Sequence, residues 1–293
     1  MGIIFRELER MLHDDASFRD EFLEEAEKVV LLGSIDDVLS RARSFFPKSQ
    51  LMFNIVTKES EVTESDIAKL EGQYEELIRC NVDGIFLKLS AFGYDVQRLR
   101  GLIEHALSRT RFVGIDAEYV DMLITRKQAE KLSHLDTSRF IITAQTQWRG
   151  VEDYLSRFRD CNLGICYVPG VEKYFNSEQS NGGIMRDFYD VVSRTQDWFS
   201  ENVFLGGNGM GIRNAVVRLT KETSKKYTAF VLRRDDAQGA VNWYDERGIN
   251  TGVYIASMMG SDKIQSVKNC LGYLMRRKNI QDLINGRFYA NRN

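Results

Sequence analysis

Short apolar runs and longer amphipathic stretches alternate eight times from residue 51 to residue 278, and this alternation constrains the fold more than any other feature of the chain. The runs are 51–56, 84–89, 112–115, 139–144, 163–168, 202–205, 227–232 and 250–256. They are rich in Val, Ile, Leu and Phe and too short for helices, which is the pattern of strands buried on both faces. The stretches between them carry apolar residues at helical spacing, near 64–79 (with Thr63 as N-cap), 95–108, 119–132, 151–159, 184–199, 212–220, 237–246 and 263–278. Strict strand–helix alternation implies parallel strands joined by crossover helices. Eight units over roughly 240 residues predict an α/β fold of the TIM type, a (β/α)8 barrel, which typically takes about 250 residues. A doubly wound open sheet is the competing architecture, but it normally carries a glycine fingerprint after its first strand, and none follows residue 56.

The first 47 residues read differently. Ile3, Ile4, Leu8 and Leu12 mark one apolar helical face, and Phe18, Phe22, Ala26 and Val29 or Val30 mark a second. Pro47 closes this segment, so the expected organisation is a helical extension over 1–47 and the barrel over 48–293. A net charge of −2 gives no general affinity for nucleic acid or anionic membranes. No apolar run approaches the roughly 18 residues that span a bilayer, and the N-terminus turns acidic too early for a leader peptide. Cys80, Cys161, Cys166 and Cys270 fit no metal or redox spacing and read as reduced thiols of a cytoplasmic protein. His13, His105 and His134 lie in polar helical contexts, and no metal site is expected.

A barrel of this type builds its active site from the C-terminal ends of its strands and the loops beyond them. That rule selects Asn54 and Thr57, Lys88 and Ser90, Asp116 and Glu118, and Gln145 and Gln147. Lys88 interrupts an apolar run, and an ammonium facing the helix layer would be costly without a partner, so the barrel mouth is the better place for it. Asp116 suits either a helix N-cap or a substrate contact. Gln145 could bind a ligand or cap its own strand. Gly206-Gly207-Asn208-Gly209-Met210-Gly211 opens a helix and could present backbone amides to a phosphate, or serve only as a turn. Arg276 and Arg277 diverge by about 100° on a helix, so one can reach the barrel mouth while the other braces it or faces solvent.

Four of these runs, in this order, resemble the proline dehydrogenase family. Its motif V-K-L-S-A-L is similar to Leu87-Lys88-Leu89-Ser90-Ala91-Phe92, and its I-D-A-E to Ile115-Asp116-Ala117-Glu118. Its Q-A-Y resembles Gln145-Thr146-Gln147, and its Y-L-x-R-R resembles Tyr273-Leu274-Met275-Arg276-Arg277. The resemblance implies a (β/α)8 flavoenzyme that binds FAD and oxidises a small amino acid, proline or a related cyclic imino acid, by hydride transfer to the flavin. It implies that Lys88, Arg276 and Arg277 grip the substrate carboxylate, that Tyr254 and Tyr273 shape the pocket, and that Lys88 and Asp116 carry the chemistry. Gln145, Gly206, Gly207 and Asn208 would face the cofactor. The chain departs from the family where flavin-contacting cations are expected: the family's R-L-V-K-G-A-Y stands here as Cys166-Tyr167-Val168-Pro169-Gly170-Val171-Glu172. The alternative is therefore a barrel that has lost FAD and handles an amino acid or peptide by another chemistry.

Overall fold

A computed structural model describes residues 2–55, 63–92, 96–116, 137–148, 150–169, 181–207, 209–223, 225–233, 236–260, 263–275 and 278–290. In chain order the elements are α1 (Gly2–Asp14), α2 (Ala16–Glu27), β1 (Leu31–Gly33), α3 (Ile35–Phe45), β2 (Gln50–Ile55), α4 (Glu64–Arg79) and β3 (Gly84–Leu87). Next come α5 (Val96–Arg109), β4 (Phe112–Ile115), β5 (Phe140–Gln145), α6 (Val151–Ser156), β6 (Gly164–Val168), α7 (Asn181–Thr195) and β7 (Val203–Gly206). The chain continues through α8 (Met210–Glu222), β8 (Tyr227–Leu232), α9 (Ala237–Asp245), β9 (Asn250–Met259), α10 (Lys263–Leu274) and α11 (Lys278–Ala290). Local signals set several helix starts. Thr63 and Asp66 form a reciprocal capping box on α4, and Asp15 and Ser34 cap α2 and α3 by accepting from the Phe18 and Asp37 amides.

The eight strands β2 to β9 pair in sequence, all parallel, and β9 pairs with both β8 and β2, so the sheet closes into a (β/α)8 barrel. This is the architecture expected from the alternation. Outward residues such as Phe53, Ile85, Val113, Ile142, Ile165, Leu205, Val231 and Val253 bury against the helix layer. Inward residues Met52, Phe86, Phe112, Ile141, Cys166, Phe204 and Phe230 fill the lumen, so the barrel has a packed centre and no pore.

Lumen packing depends on glycine. A Cβ at Gly114 would lie 2.4 Å from the Phe86 ring, and one at Gly164 would lie 2.2 Å from Cδ1 of Ile141. The ring of Phe86 packs with its centroid 5.2 Å from Phe230 and 5.6 Å from Tyr254, and Phe204 adds a contact at 5.9 Å from Phe230. These aromatics meet at offset and edge-on angles, the arrangement that ring quadrupoles favour.

The N-terminal segment is not wholly helical, contrary to expectation. Leu31–Gly33 forms β1, which pairs in parallel with Ser257–Met259 of β9. β8 stops pairing at Tyr254, and β9 runs five residues further, so β1 takes up the edge that β8 leaves. A three-residue strand has no readable period, and its signal comes from a partner more than 200 residues away. The final helix also differs: Lys263–Leu274 is followed by a second helix, Lys278–Ala290, whose buried Ile280 and Ile284 sit beyond the predicted end. The helix expected near 119–132 lies outside the described residues.

A second core joins the two chain ends. Leu8, Leu12, Phe18, Phe22, Ala26 and Val30 pack with Val267, Leu271, Leu274, Ile280 and Ile284. Acidic side chains of α2 line the seam. Glu27 reaches both Arg41 (2.5 Å) and Lys263 (3.0 Å), Glu25 accepts from Asn279 (2.9 Å), and Glu21 pairs with Arg287 (3.3 Å). Among the described residues no helix is long and apolar enough to cross a membrane.

The Gly114→Ala variant should lose about 1–3 kcal/mol of stability through overpacking against a ring that its neighbours hold in place. Urea unfolding checks this: the midpoint should fall with the slope unchanged, and an unaltered midpoint would contradict the lumen geometry.

Candidate active site

The mouth of the barrel is assembled by strand ends. Lys88 directly follows β3 and Asp116 directly follows β4. The Asp116 amide donates to the Leu87 carbonyl at 2.9 Å, one step beyond the last paired residues Leu87 and Ile115, so Lys88 and Asp116 leave the sheet side by side. Strand alternation continues the inward series Phe86 to Lys88 and Gly114 to Asp116. Both side chains are half-buried.

Tyr254, from the middle of β9, stands edge-on to Phe86 and Phe230 with centroid distances of 5.6 Å to each. Its hydroxyl donates to Oδ2 of Asp116 at 2.8 Å. This bond engages the carboxylate across the barrel with a tyrosine of the last strand, and the helix that Asp116 would cap lies outside the described residues. Beneath it lies the fully buried thiol of Cys166, whose pKa is pushed well above its ordinary value by burial first and by the charge of Asp116 second. The Asp116 charge therefore reaches the lumen.

Gln145 ends β5, half-buried and paired with Val168 of β6. On β6 the inward positions are Cys166 and Val168, a thiol and a valine, and the family's two cations in the resemblance fall at Cys166 and Pro169. Gly206 ends β7, and Gly207 has φ +137°, a conformation open to glycine, with its amide donating to the Phe230 carbonyl at 3.0 Å. A Cβ at Gly206 would meet Val168 at 2.8 Å, so packing favours glycine there, and at Gly207 the positive φ does so, with Ile212 3.0 Å from where a Cβ would stand. Gly209 faces open space and caps α8 with no side-chain hydrogen bond, which leaves first-turn amides available to an anion.

Lys88, Asp116, Gln145, Tyr254, Gly206 and Gly207 thus share the C-terminal end of one barrel. Arg276, Arg277 and Asn208 lie outside the described residues. Tyr273 belongs to α10, but its side chain is also outside them. Two residues at this end escape the sequence reading. Arg233 follows β8 directly, with its amide donating to the Tyr254 carbonyl at 3.0 Å. It closes an apolar run just as Lys88 does, and the same reasoning would find it. Thr143, inward on β5, carries no charge and gives no signal. Among the described residues no group of three His, Cys, Asp or Glu side chains could hold a metal ion.

No family model and no curated protein sequence matches the chain. Solved structures do match. Proline utilization A (PutA) from Bdellovibrio bacteriovorus, inactivated by N-propargylglycine, superposes with a TM-score of 0.66 at 13% identity, covering 92% of this chain and 34% of that one. PutA from Corynebacterium freiburgense gives 0.61 at 15% identity over 96% and 34%, and PutA from Bradyrhizobium japonicum gives 0.58 at 15% over 87% and 30%. The chain spans about a third of the length of these proteins. At such identities the likeness is one of fold: nearly the whole chain superposes on one barrel portion of these proteins.

A flavin fits this mouth in two respects. Buried polar atoms of Thr143, Thr146 and Gln147 at the end of β5 make no hydrogen bond, and the start of α8 offers uncapped amides. The cationless β6 is the respect in which it does not resemble the family.

Burial raises the pKa of Tyr154, Tyr167 and Tyr244 above the ordinary tyrosine value, as it does for the Cys166 thiol. The folded state therefore keeps these protons longer than the unfolded chain. Their contribution is whole below about pH 8.5, where an unfolded thiol begins to ionise, and declines as pH rises past about 10 toward the raised native values. Melting temperature should fall steadily above about pH 9, and Cys166 should resist iodoacetamide at about pH 8 until urea unfolds the chain. Peptide mapping checks the second point, and rapid native alkylation of Cys166 would contradict its burial.

Proposed function

We propose that this barrel is a flavin-dependent oxidoreductase acting on proline or a related cyclic imino acid. The observation that carries the reading is the convergence of Lys88, Asp116 and Tyr254 at one mouth, with Asp116 fixed by the 2.8 Å bond from Tyr254. A cation beside an oriented carboxylate is the complement of a zwitterion. In this reading the Lys88 ammonium binds the substrate carboxylate, with Arg276 and Arg277 joining it from the segment between α10 and α11. The Asp116 carboxylate faces the substrate amine and is held by its bond from Tyr254. The aromatic floor of Phe86, Phe230 and Tyr254 excludes water beneath the apolar ring of the substrate. FAD would be held by Gln145 on one side and by the glycine turn after β7 on the other, and it supplies the hydride acceptor.

The cationless wall of β6, Cys166 and Val168, favours a second reading in which the barrel retains its amino-acid grip without FAD. Losing a buried charged contact to the cofactor costs roughly 2–5 kcal/mol, so the uncapped start of α8 has to carry more of the cofactor's phosphate binding.

The visible spectrum of the purified protein, alone and after titration with FAD, separates the readings. Flavin absorption and proline-dependent reduction of an artificial electron acceptor are expected. Colourless protein that takes up no FAD would leave only the second reading. In either case Lys88→Ala should weaken binding of a carboxylate-bearing proline analogue by about tenfold or more, as loss of a charge-assisted contact requires. Unchanged affinity would remove the zwitterion grip from both readings.

A further inference from the structure

A side chain of the helix layer enters the strand ladder two residues before Lys88. β2 and β3 pair from Met52 opposite Gly84 to Asn54 opposite Phe86, and there their register ends. Both strands continue one residue further, and each pairs on its far side, Ile55 with Ser257 and Leu87 with Ile115. The Tyr74 hydroxyl, from α4, stands at this end of the ladder. It accepts from the Ile55 amide at 3.1 Å and donates to the Phe86 carbonyl at 2.8 Å. A parallel ladder pairs such groups directly; here a phenol bridges them. The Phe86 carbonyl also accepts from Nδ2 of Asn54 at 2.9 Å. Two side chains thus hold one peptide, the one that leads into Leu87 and Lys88.

Tyr74 acts again beyond Lys88. The Ala91 amide donates to the Lys88 carbonyl at 3.1 Å, and Leu89–Phe92 forms a 3-10 turn. The Phe92 ring packs on the Tyr74 ring with centroids 6.1 Å apart, and both residues are buried. The hydroxyl therefore holds the chain two residues before Lys88, and the ring holds it four residues after. The helix that carries Tyr74 is itself tied down: its neighbour Gln73 donates to the Met259 carbonyl at 3.2 Å, at the end of β9.

Filling space does not by itself call for a tyrosine here. Phenylalanine would bury the same ring, and a buried hydroxyl is costly unless it is paired. This hydroxyl is paired, with one backbone group from each of two neighbouring strands. Towards β4 the lysine needs no such help, because the Leu87 carbonyl accepts from the Asp116 amide at 2.9 Å. Tyr74 supplies the matching restraint towards β2. We infer that Tyr74 is a positioning residue for Lys88, fixing the backbone on both sides of the lysine and so setting where its ammonium meets a carboxylate. This rests on the reading above in which Lys88 binds the substrate carboxylate. Tyr74 packs in the core between sheet and helices and acts through the chain alone.

Isothermal titration of the full chain with L-proline and L-prolinamide tests this, because the amide lacks the carboxylate charge. The wild type should prefer proline by about tenfold or more, the size of a charge-assisted contact, and Lys88→Ala should lose that preference. Tyr74→Phe keeps the ring and removes the hydroxyl. It should cut the preference by about fivefold through weaker proline binding alone, since a displaced cation keeps only part of such a contact. In the Lys88→Ala background Tyr74→Phe should change the preference no further, as residues acting in series do. Phe92→Leu loosens the ring contact, should act in the same sense, and decides the matter if Tyr74→Phe does not fold. Melting temperature falls in Tyr74→Phe under a positioning or a purely structural role, because the Ile55 amide loses its acceptor; the split between the two ligands separates these roles. Equal weakening of both ligands, an unchanged preference, or an effect that persists in Lys88→Ala overturns the inference and leaves the carboxylate grip intact. Absence of any preference in the wild type, or its survival in Lys88→Ala, overturns the grip and the inference with it.

Discussion

The Phe86 ring reaches the centre of the barrel only because β4 has no Cβ at residue 114, and much of the mouth follows from that one steric allowance. A side chain there would meet the ring at 2.4 Å. With glycine in place, Phe86 sits between Phe230 and Tyr254 and closes the lumen below the mouth. Tyr254 is then fixed on two sides by aromatic edges, and its hydroxyl donates to Asp116. Apolar packing in the lumen thus aims a polar bond at the surface. The carboxylate is oriented by rings that carry no charge.

Closure of the sheet adds a second dependence. β9 is the longest strand, and its ladder serves three partners: β8 with its first half, β2 through its middle, and β1 with its end. The N-terminal segment is thereby stitched to the strand that bears Tyr254. The same segment packs α1 and α2 onto α10 and α11, with Glu27 bridging Arg41 of α3 and Lys263 of α10. Ion pairs near the surface, such as these, contribute little individually, about 0–1 kcal/mol. Apolar burial contributes more to holding the two chain ends together, and the acidic seam sets the alignment of the helices. Because Tyr254 also packs against this second core, the position of the chain's first thirty residues bears on the orientation of Asp116.

Much of this is legible in the sequence because it is written in periods. The eight buried runs give the barrel, and several predicted ends agree with the observed ones, as at 112–115 and 227–232. The rule that strand ends build the site then selects Lys88, Asp116 and Gln145 without further information. What is not legible depends on distance along the chain. β1 is defined by a partner at Ser257–Met259, and its three residues carry no pattern of their own. The N-cap reading of Asp116 is locally as good as the site reading, and the bond it accepts from a hydroxyl on the last strand has no signal in the local sequence. The apolar pair Ile280 and Ile284 is visible but falls beyond a helix that the periodicity already completes, so α11 escapes prediction.

Strand order also divides the mouth by chemistry. Going round the barrel, β9, β2, β3 and β4 are neighbours, and they carry Tyr254, Asn54, Lys88 and Asp116. The remaining neighbours begin with β5, β6 and β7, which carry Gln145, Val168 and Gly206. One arc offers a cation, an oriented anion and hydroxyl or amide donors. Among the described strand ends the opposite arc is neutral until Arg233 closes β8. A zwitterion and a flat neutral ring make different demands on a wall: paired fixed charges in the first case, close approach and in-plane amide contacts in the second. The glycine at the end of β7 and the valine at the end of β6 allow that close approach, and the charged arc stands across the lumen from them.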